Sequence, residues 1–215
     1  MFVCFEGIDG AGKSTQVNLL KNYLRESGYN VEAVRDPGTT KLGNAIRQLI
    51  LDCDDPISAN SQMLLFSSAR AELSEYIKKR LEDGYIILGD RWLLSTLVYQ
   101  SHLNGVNSEL ITNIFSQTSL TPDLCIVLDI DPASADRRKV NDSRRDRYER
   151  VSLQQKNSMR SAYLNFAKAG PAGQHVRIIN ADRPQQNVHF QIVDLFFTVR
   201  SLMPSKTRSN FTCPL

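Results

Sequence analysis

The stretch Phe2-Val3-Cys4-Phe5-Glu6-Gly7-Ile8-Asp9-Gly10-Ala11-Gly12-Lys13-Ser14-Thr15 decides how the rest of the chain is read. Residues 2–6 are an apolar run closed by a carboxylate, which predicts a short buried strand. Residues 13–27 then carry Val17, Leu20 and Leu24 at helical spacing, with Gly28 as a stop. Between the two, Gly7 to Ser14 fits G-x-x-x-x-G-K-[ST] in the strand–loop–helix setting that this pattern needs. The glycines let the backbone turn its N–H groups toward phosphate oxygens, and the helix N-terminus adds partial positive charge. Gly7, Ile8, Asp9, Gly10, Ala11, Gly12, Lys13, Ser14 and Thr15 are therefore the expected cradle of a nucleoside triphosphate. Lys13 can reach the β- and γ-phosphates, and Ser14 can hold Mg²⁺.

Outward from this loop, short apolar runs alternate with helical stretches. Strands are predicted at 30–35, at Tyr85-Ile86-Ile87-Leu88 ending on Asp90, at Leu124 to Leu128 and at Val176 to Ile179. Helices are predicted at 41–51, at 60–82 and around Val188, Ile192, Leu195 and Val199. With the first strand this makes five, separated by helices. The expectation is an α/β fold in three layers, a five-stranded parallel sheet flanked by helices. Ligands of such sheets bind beyond the carboxyl ends of the strands, where the motifs fall. One domain is expected over 1–202, with a loose polar tail over 203–215 that contains two prolines.

Composition narrows the class. The chain has 215 residues, 41% hydrophobic and 23% charged, with a net charge of +3. That is ordinary globular composition and excludes wholesale disorder. The charge balance gives no support for nucleic-acid binding, and no run is long enough to span a membrane. Cys4, Cys53, Cys125 and Cys213 are widely spaced and form no Cys-x-x-Cys pair. Reduced thiols in the cytoplasm are expected, and neither a zinc site nor a disulfide framework. The apolar start meets Glu6 too soon for a secretory leader.

No Asn-Lys-x-Asp guanine-reading motif is present, and the length suits a small-molecule kinase. The loop, Arg35-Asp36-Pro37-Gly38-Thr39, Phe66-Ser67-Ser68-Ala69-Arg70, Asp90-Arg91-Trp92 through Gln100, and Asp146-Arg147-Tyr148-Glu149 follow one another in an order and spacing that resemble the thymidylate kinases. The likeness covers roughly residues 2–200. It implies a P-loop NTPase fold with a mobile lid and transfer of the γ-phosphoryl of ATP to dTMP with Mg²⁺. It also implies a homodimer.

The resemblance assigns roles residue by residue. Asp36, where the family usually has Glu, would serve the acceptor phosphate or Mg²⁺-bound water; Asp-Pro-Gly is also an ordinary turn. Arg47 and Arg91 would grip the acceptor phosphate, for which a planar guanidinium is suited. Phe66 would stack on thymine, with Arg70 on its edge four residues along the same helix. Asp90 would hold Mg²⁺ or fix Arg91. Ser95, Thr96, Tyr99 and Gln100 follow at helical spacing: Thr96 would face the base and Tyr99 the sugar 2′ position. Ser95 and Gln100 are otherwise capping or surface residues. Trp92, where the family has Tyr, is expected to pack. Thr39 replaces a common Gly, so the loop backbone is expected to differ.

Residues 137–150 hold seven basic residues against three acidic ones. A run like this is a solvated patch, a nucleic-acid patch or a lid over phosphates. Only Tyr148 is aromatic, which weakens a single-strand-binding reading. Some thymidylate kinases carry an Arg inside the phosphate loop; here that position is Gly10. By resemblance the catalytic Arg then comes from the lid, with Arg147 aligned best and Arg144 and Arg145 beside the ATP phosphates. Tyr148 would touch substrate. Two other readings stay open: a kinase for another deoxynucleotide or deoxynucleoside, and a non-catalytic nucleotide- or nucleic-acid-binding protein. Two acceptor-side arginines favour a substrate that already carries phosphate.

Overall fold

The computed structural model describes residues 1–53, 55–138, 151–170 and 175–203. Arg144, Arg145, Arg147 and Tyr148 lie outside the described residues, as do most of the expected lid and the tail beyond Met203.

Five strands form one parallel sheet: β1 (Phe2–Glu6), β2 (Val31–Arg35), β3 (Ile86–Asp90), β4 (Leu124–Asp129) and β5 (Val176–Asn180), in the order β2-β3-β1-β4-β5. Every residue of β1 and β3 is buried, as the near-continuous apolar runs require of strands covered on both faces. Gly89 admits the ring of Phe2: a Cβ there would lie 3.1 Å from it. The register places Phe5 beside Asp90, Arg35 beside Asp90 and Glu6 beside Val127. Glu6, Arg35, Asp90 and Asp129 thus emerge on one edge of the sheet.

The helices are α1 (Lys13–Glu26), α2 (Lys41–Asp52), α3 (Ala59–Glu82), α4 (Leu93–Thr96), α5 (Ser108–Thr118), α6 (Pro132–Arg138), α7 (Leu153–Ala169) and α8 (Gln185–Leu202). The inner face of α1 is Gln16, Val17, Leu20 and Leu24, which includes the predicted stripe. α2 packs on α3 through Ile46, Ile50 and Ala69. Trp92 packs, as expected: it is 1% exposed, its ring meets Phe2 edge-on at 5.0 Å, and its Nε1 donates to the Leu120 carbonyl at 2.8 Å. Among the described residues no helix is long and apolar enough to cross a membrane.

Candidate active site

The loop after β1 turns on two crowded glycines. A Cβ on Gly7 would lie 2.6 Å from the Leu128 carbonyl oxygen, and one on Gly10 would lie 2.6 Å from that of Ala135. α6 therefore closes over Gly10 and leaves no room for an Arg there. α1 begins at Lys13 with no side chain capping its first N–H groups, which leaves those donors for an anion. Lys13 is buried, and its Nζ donates to the carbonyls of Gly7 and Ile8 at 2.9 Å each. Burial, with repulsion from Arg91, pushes its ammonium down to about 8 against the pull of Asp9, Asp90 and Glu6. Ser14 Oγ donates to Asp90 Oδ2 at 2.5 Å. The structure thus joins the two residues expected at the metal, and Asp90 is tied to Ser14 while Arg91 is held elsewhere.

Beside the loop lies a cavity of roughly 660 Å³, counting its open mouth. It is lined by every described residue expected on the acceptor side: Asp36, Arg47, Phe66, Arg70, Arg91, Ser95, Thr96, Tyr99 and Gln100, and also by Asp9, Arg35, Pro37, Ile50 and Leu51. Arg70 is 3% exposed, and its Nε donates to Asp36 Oδ2 at 2.6 Å. Its Nη2 donates to Thr96 Oγ1, and its guanidinium lies over the Trp92 ring at 5.6 Å. Burial raises the Asp36 carboxyl, while Arg70 and then Arg91 oppose the rise. Asp36 therefore meets the arginine expected at the base edge, a partner the sequence did not suggest. Two buried polar atoms in this wall lack partners, Asp36 Oδ1 and Gln100 Nε2. Such atoms are costly unless a ligand meets them.

Arg91 stands at φ 73°, in the left-handed region that costs a non-glycine residue about 1–2 kcal/mol. Glu6, wholly buried, holds the following turn: it accepts from the N–H groups of Trp92 at 2.9 Å and Ser95 at 3.1 Å, and from Ser95 Oγ at 2.6 Å. Burial raises the Glu6 carboxyl, while the Ser95 hydroxyl and the Arg91 charge favour its ionised form. The Arg91 guanidinium donates to Ser95 Oγ at 3.0 Å, to the Tyr163 hydroxyl at 3.1 Å and, through Nη2, to Asp9 Oδ1. Asp9 Oδ2 also accepts from the Tyr99 hydroxyl at 2.8 Å. The side chain of Asp9 thus faces the cavity expected for the acceptor, although its loop is the one expected to hold the triphosphate. Thr39, like Arg91, is left-handed at φ 66°, and its Oγ1 accepts from the Arg35 N–H at 2.8 Å.

The helical spacing expected after Asp90 needs one correction. Ser95 and Thr96 sit on α4, but Leu97–Leu103 continues as a π-helix. Its wider turn carries Tyr99 and Gln100 in a register that an α-helix would not give, a feature often found at functional sites. Sequence reasoning missed Glu6, which reads as a strand end, and Tyr163, which reads as one more helix aromatic. On α6, Arg137 donates to Ser134 Oγ at 2.7 Å and Arg138 to the Ala181 carbonyl at 2.8 Å.

A glycine-rich loop with a carboxylate-tied Ser thus lies next to an arginine-rich, aromatic-walled cavity. A family model described as thymidylate kinase matches residues 5–192. The chain belongs to the thymidylate kinase family. A thymidylate kinase of Thermoanaerobacter sp. (strain X514) is 37% identical over 199 residues, covering 90% of this chain and 96% of that protein. One from Fervidobacterium nodosum is 38% identical over 199 residues, covering 91% and 98%. One from Symbiobacterium thermophilum is 36% identical over 218 residues, covering 100% and 99%. The parallel sheet flanked by helices is the P-loop fold of this family.

Proposed function

We propose that the protein transfers the γ-phosphoryl of ATP directly to the phosphate of dTMP, giving dTDP for dTTP synthesis. The observation that carries this reading is the cavity wall, which brings Phe66, Arg70, Thr96 and Gln100 together with Arg47 and Arg91 around one space. An aromatic face with a guanidinium and an unpartnered amide suits a pyrimidine edge, and two guanidinium groups suit a monophosphate. Tyr99, anchored on Asp9, takes the sugar side and disfavours a 2′-hydroxyl. The phosphate loop holds ATP through its N–H groups and Lys13, which must leave the Gly7 and Ile8 carbonyls to reach the phosphates. In-line transfer then needs no covalent enzyme intermediate, only alignment and charge stabilisation. Arg147 is proposed as the transition-state arginine, with Arg144 and Arg145 on ATP and Tyr148 on substrate.

Ser14 and Asp90 supply an oxygen pair that fits Mg²⁺, an ion commonly held by one or two carboxylates together with substrate phosphates. Bound there, the ion would neutralise charge on the phosphate oxygens. Among the described residues no three His, Cys, Asp or Glu side chains gather as a metal site, so this pair would share the ion with nucleotide. The protein is also proposed to work in the cytoplasm as a homodimer. The exposed apolar residues Leu42 and Leu49 on α2 and Leu64 on α3 offer a face for the second copy.

A coupled ADP-release assay over dTMP, dUMP, dCMP, dGMP, UMP and thymidine, with and without Mg²⁺, tests this reading. The expected result is Mg²⁺-dependent turnover that is fastest with dTMP and absent with thymidine. Preferred turnover of thymidine or of another nucleotide would overturn it.

A further inference from the structure

We propose that Tyr163 is a positioning residue for Arg91, acting through a relay that runs from Tyr163 to Ser95 to Glu6. The inference rests on the reading of Arg91 as the acceptor-phosphate grip.

Proton counting fixes the direction of the relay. The Glu6 carboxylate only accepts, so Ser95 donates its one hydroxyl proton to it at 2.6 Å. The 2.9 Å contact between Ser95 Oγ and the Tyr163 hydroxyl is then donated by Tyr163. The lone pairs left on both oxygens accept from Arg91 Nη1, at 3.0 Å from Ser95 and 3.1 Å from Tyr163. Nη2 is held by Asp9. The guanidinium is thus fixed at both of its terminal nitrogens, and no described residue bonds Nε.

The relay also has a rigid frame. Tyr163 is 1% exposed and lies on α7. One turn earlier, Arg160 pairs with both carboxylate oxygens of Asp129 at 2.6 and 2.9 Å, which fastens α7 to the end of β4. Glu6 ends β1, and its two backbone acceptances hold the turn that carries the left-handed Arg91. Three elements distant in sequence therefore set one guanidinium. A pre-oriented fork loses less freedom when a phosphate arrives, so the relay contributes to binding the phosphate and not the nucleoside.

Calorimetric titration of dTMP and of thymidine into wild-type protein and Tyr163→Phe tests this. The substitution removes one oxygen and keeps the ring. dTMP affinity should fall about tenfold, as for loss of a hydrogen bond to a charged group, while thymidine affinity changes less than twofold. Ser95→Ala should show the same selective loss, and the double variant should lose less than the product of the two. Equal losses for both ligands, or an unchanged dTMP affinity, would overturn the relay. Wild-type protein that binds dTMP no better than thymidine would instead overturn the reading of Arg91 itself.

Discussion

Arg70 and Asp36 form an ion pair at 2.6 Å with side chains only 4% and 2% exposed. A buried pair is strongly destabilised when one partner is removed, because the other charge is left uncompensated. Asp36→Asn should cost about 3 kcal/mol in unfolding free energy by urea titration. It should raise the KM for dTMP and leave the Mg²⁺ requirement unchanged, because Arg70 loses its anchor while the Ser14–Asp90 pair is untouched. A shifted Mg²⁺ requirement with an unchanged KM would assign Asp36 to the metal.

Lys13 carries a pH signature. In the empty loop its ammonium is pushed down to about 8 from an ordinary 10.5. A bound polyphosphate favours the charged form and restores the higher value. Between those two pH values the free protein has lost the proton that the complex retains, so binding takes one up; below about 8 it is already present. Calorimetry of ATP binding at pH 9, in two buffers of different ionisation enthalpy, should show proton uptake. Lys13→Ala should abolish it. Buffer-independent heat in the wild type would refute the assignment.

The hydrogen bond from Ser14 to Asp90 predicts a metal phenotype. Ser14→Ala should raise the Mg²⁺ concentration for half-maximal rate about tenfold or more. The affinity for dTMP should stay the same. An Mg²⁺ curve that superimposes on that of the wild type would remove Ser14 from the metal site.

Gly10 stands at the loop position where, by the resemblance, some thymidylate kinases carry an Arg, and α6 crowds it. It has φ 84°, and a Cβ would lie 2.6 Å from the Ala135 carbonyl oxygen. Gly10→Ala should lower stability by at least about 1 kcal/mol in thermal or urea unfolding. Gly10→Arg should not rescue an Arg147→Ala variant in turnover, because α6 would have to move first. Rescue would show that α6 yields readily.

The sheet and the phosphate loop were legible because their signals are local: apolar runs for β1, β3 and β4, and glycines at fixed spacing before Lys13. The acceptor cavity was legible only through resemblance, since Phe66 and Arg70 read equally well as helix core and helix surface. Glu6 and Tyr163 stayed hidden because they lie 157 positions apart in the chain and meet only through Ser95. The π-helix at Leu97–Leu103 has no periodic signature, and the left-handed backbone of Arg91 is set by hydrogen bonds from other elements. α5, α6 and α7 went unread, although α5 carries Leu110, Ile111, Ile114 and Phe115 at helical spacing and α7 opens on a Ser152–Gln155 capping box.

The most direct measurement is a crystal structure with a bisubstrate analogue that joins adenosine and thymidine through five phosphates. The chain of phosphates should lie over Gly7 to Ser14, thymine against Phe66 with Arg70 and Gln100 at its edge, and Arg91 on the phosphate next to thymidine. Thymidine seated outside that cavity, or phosphates away from the loop, would contradict the proposed function.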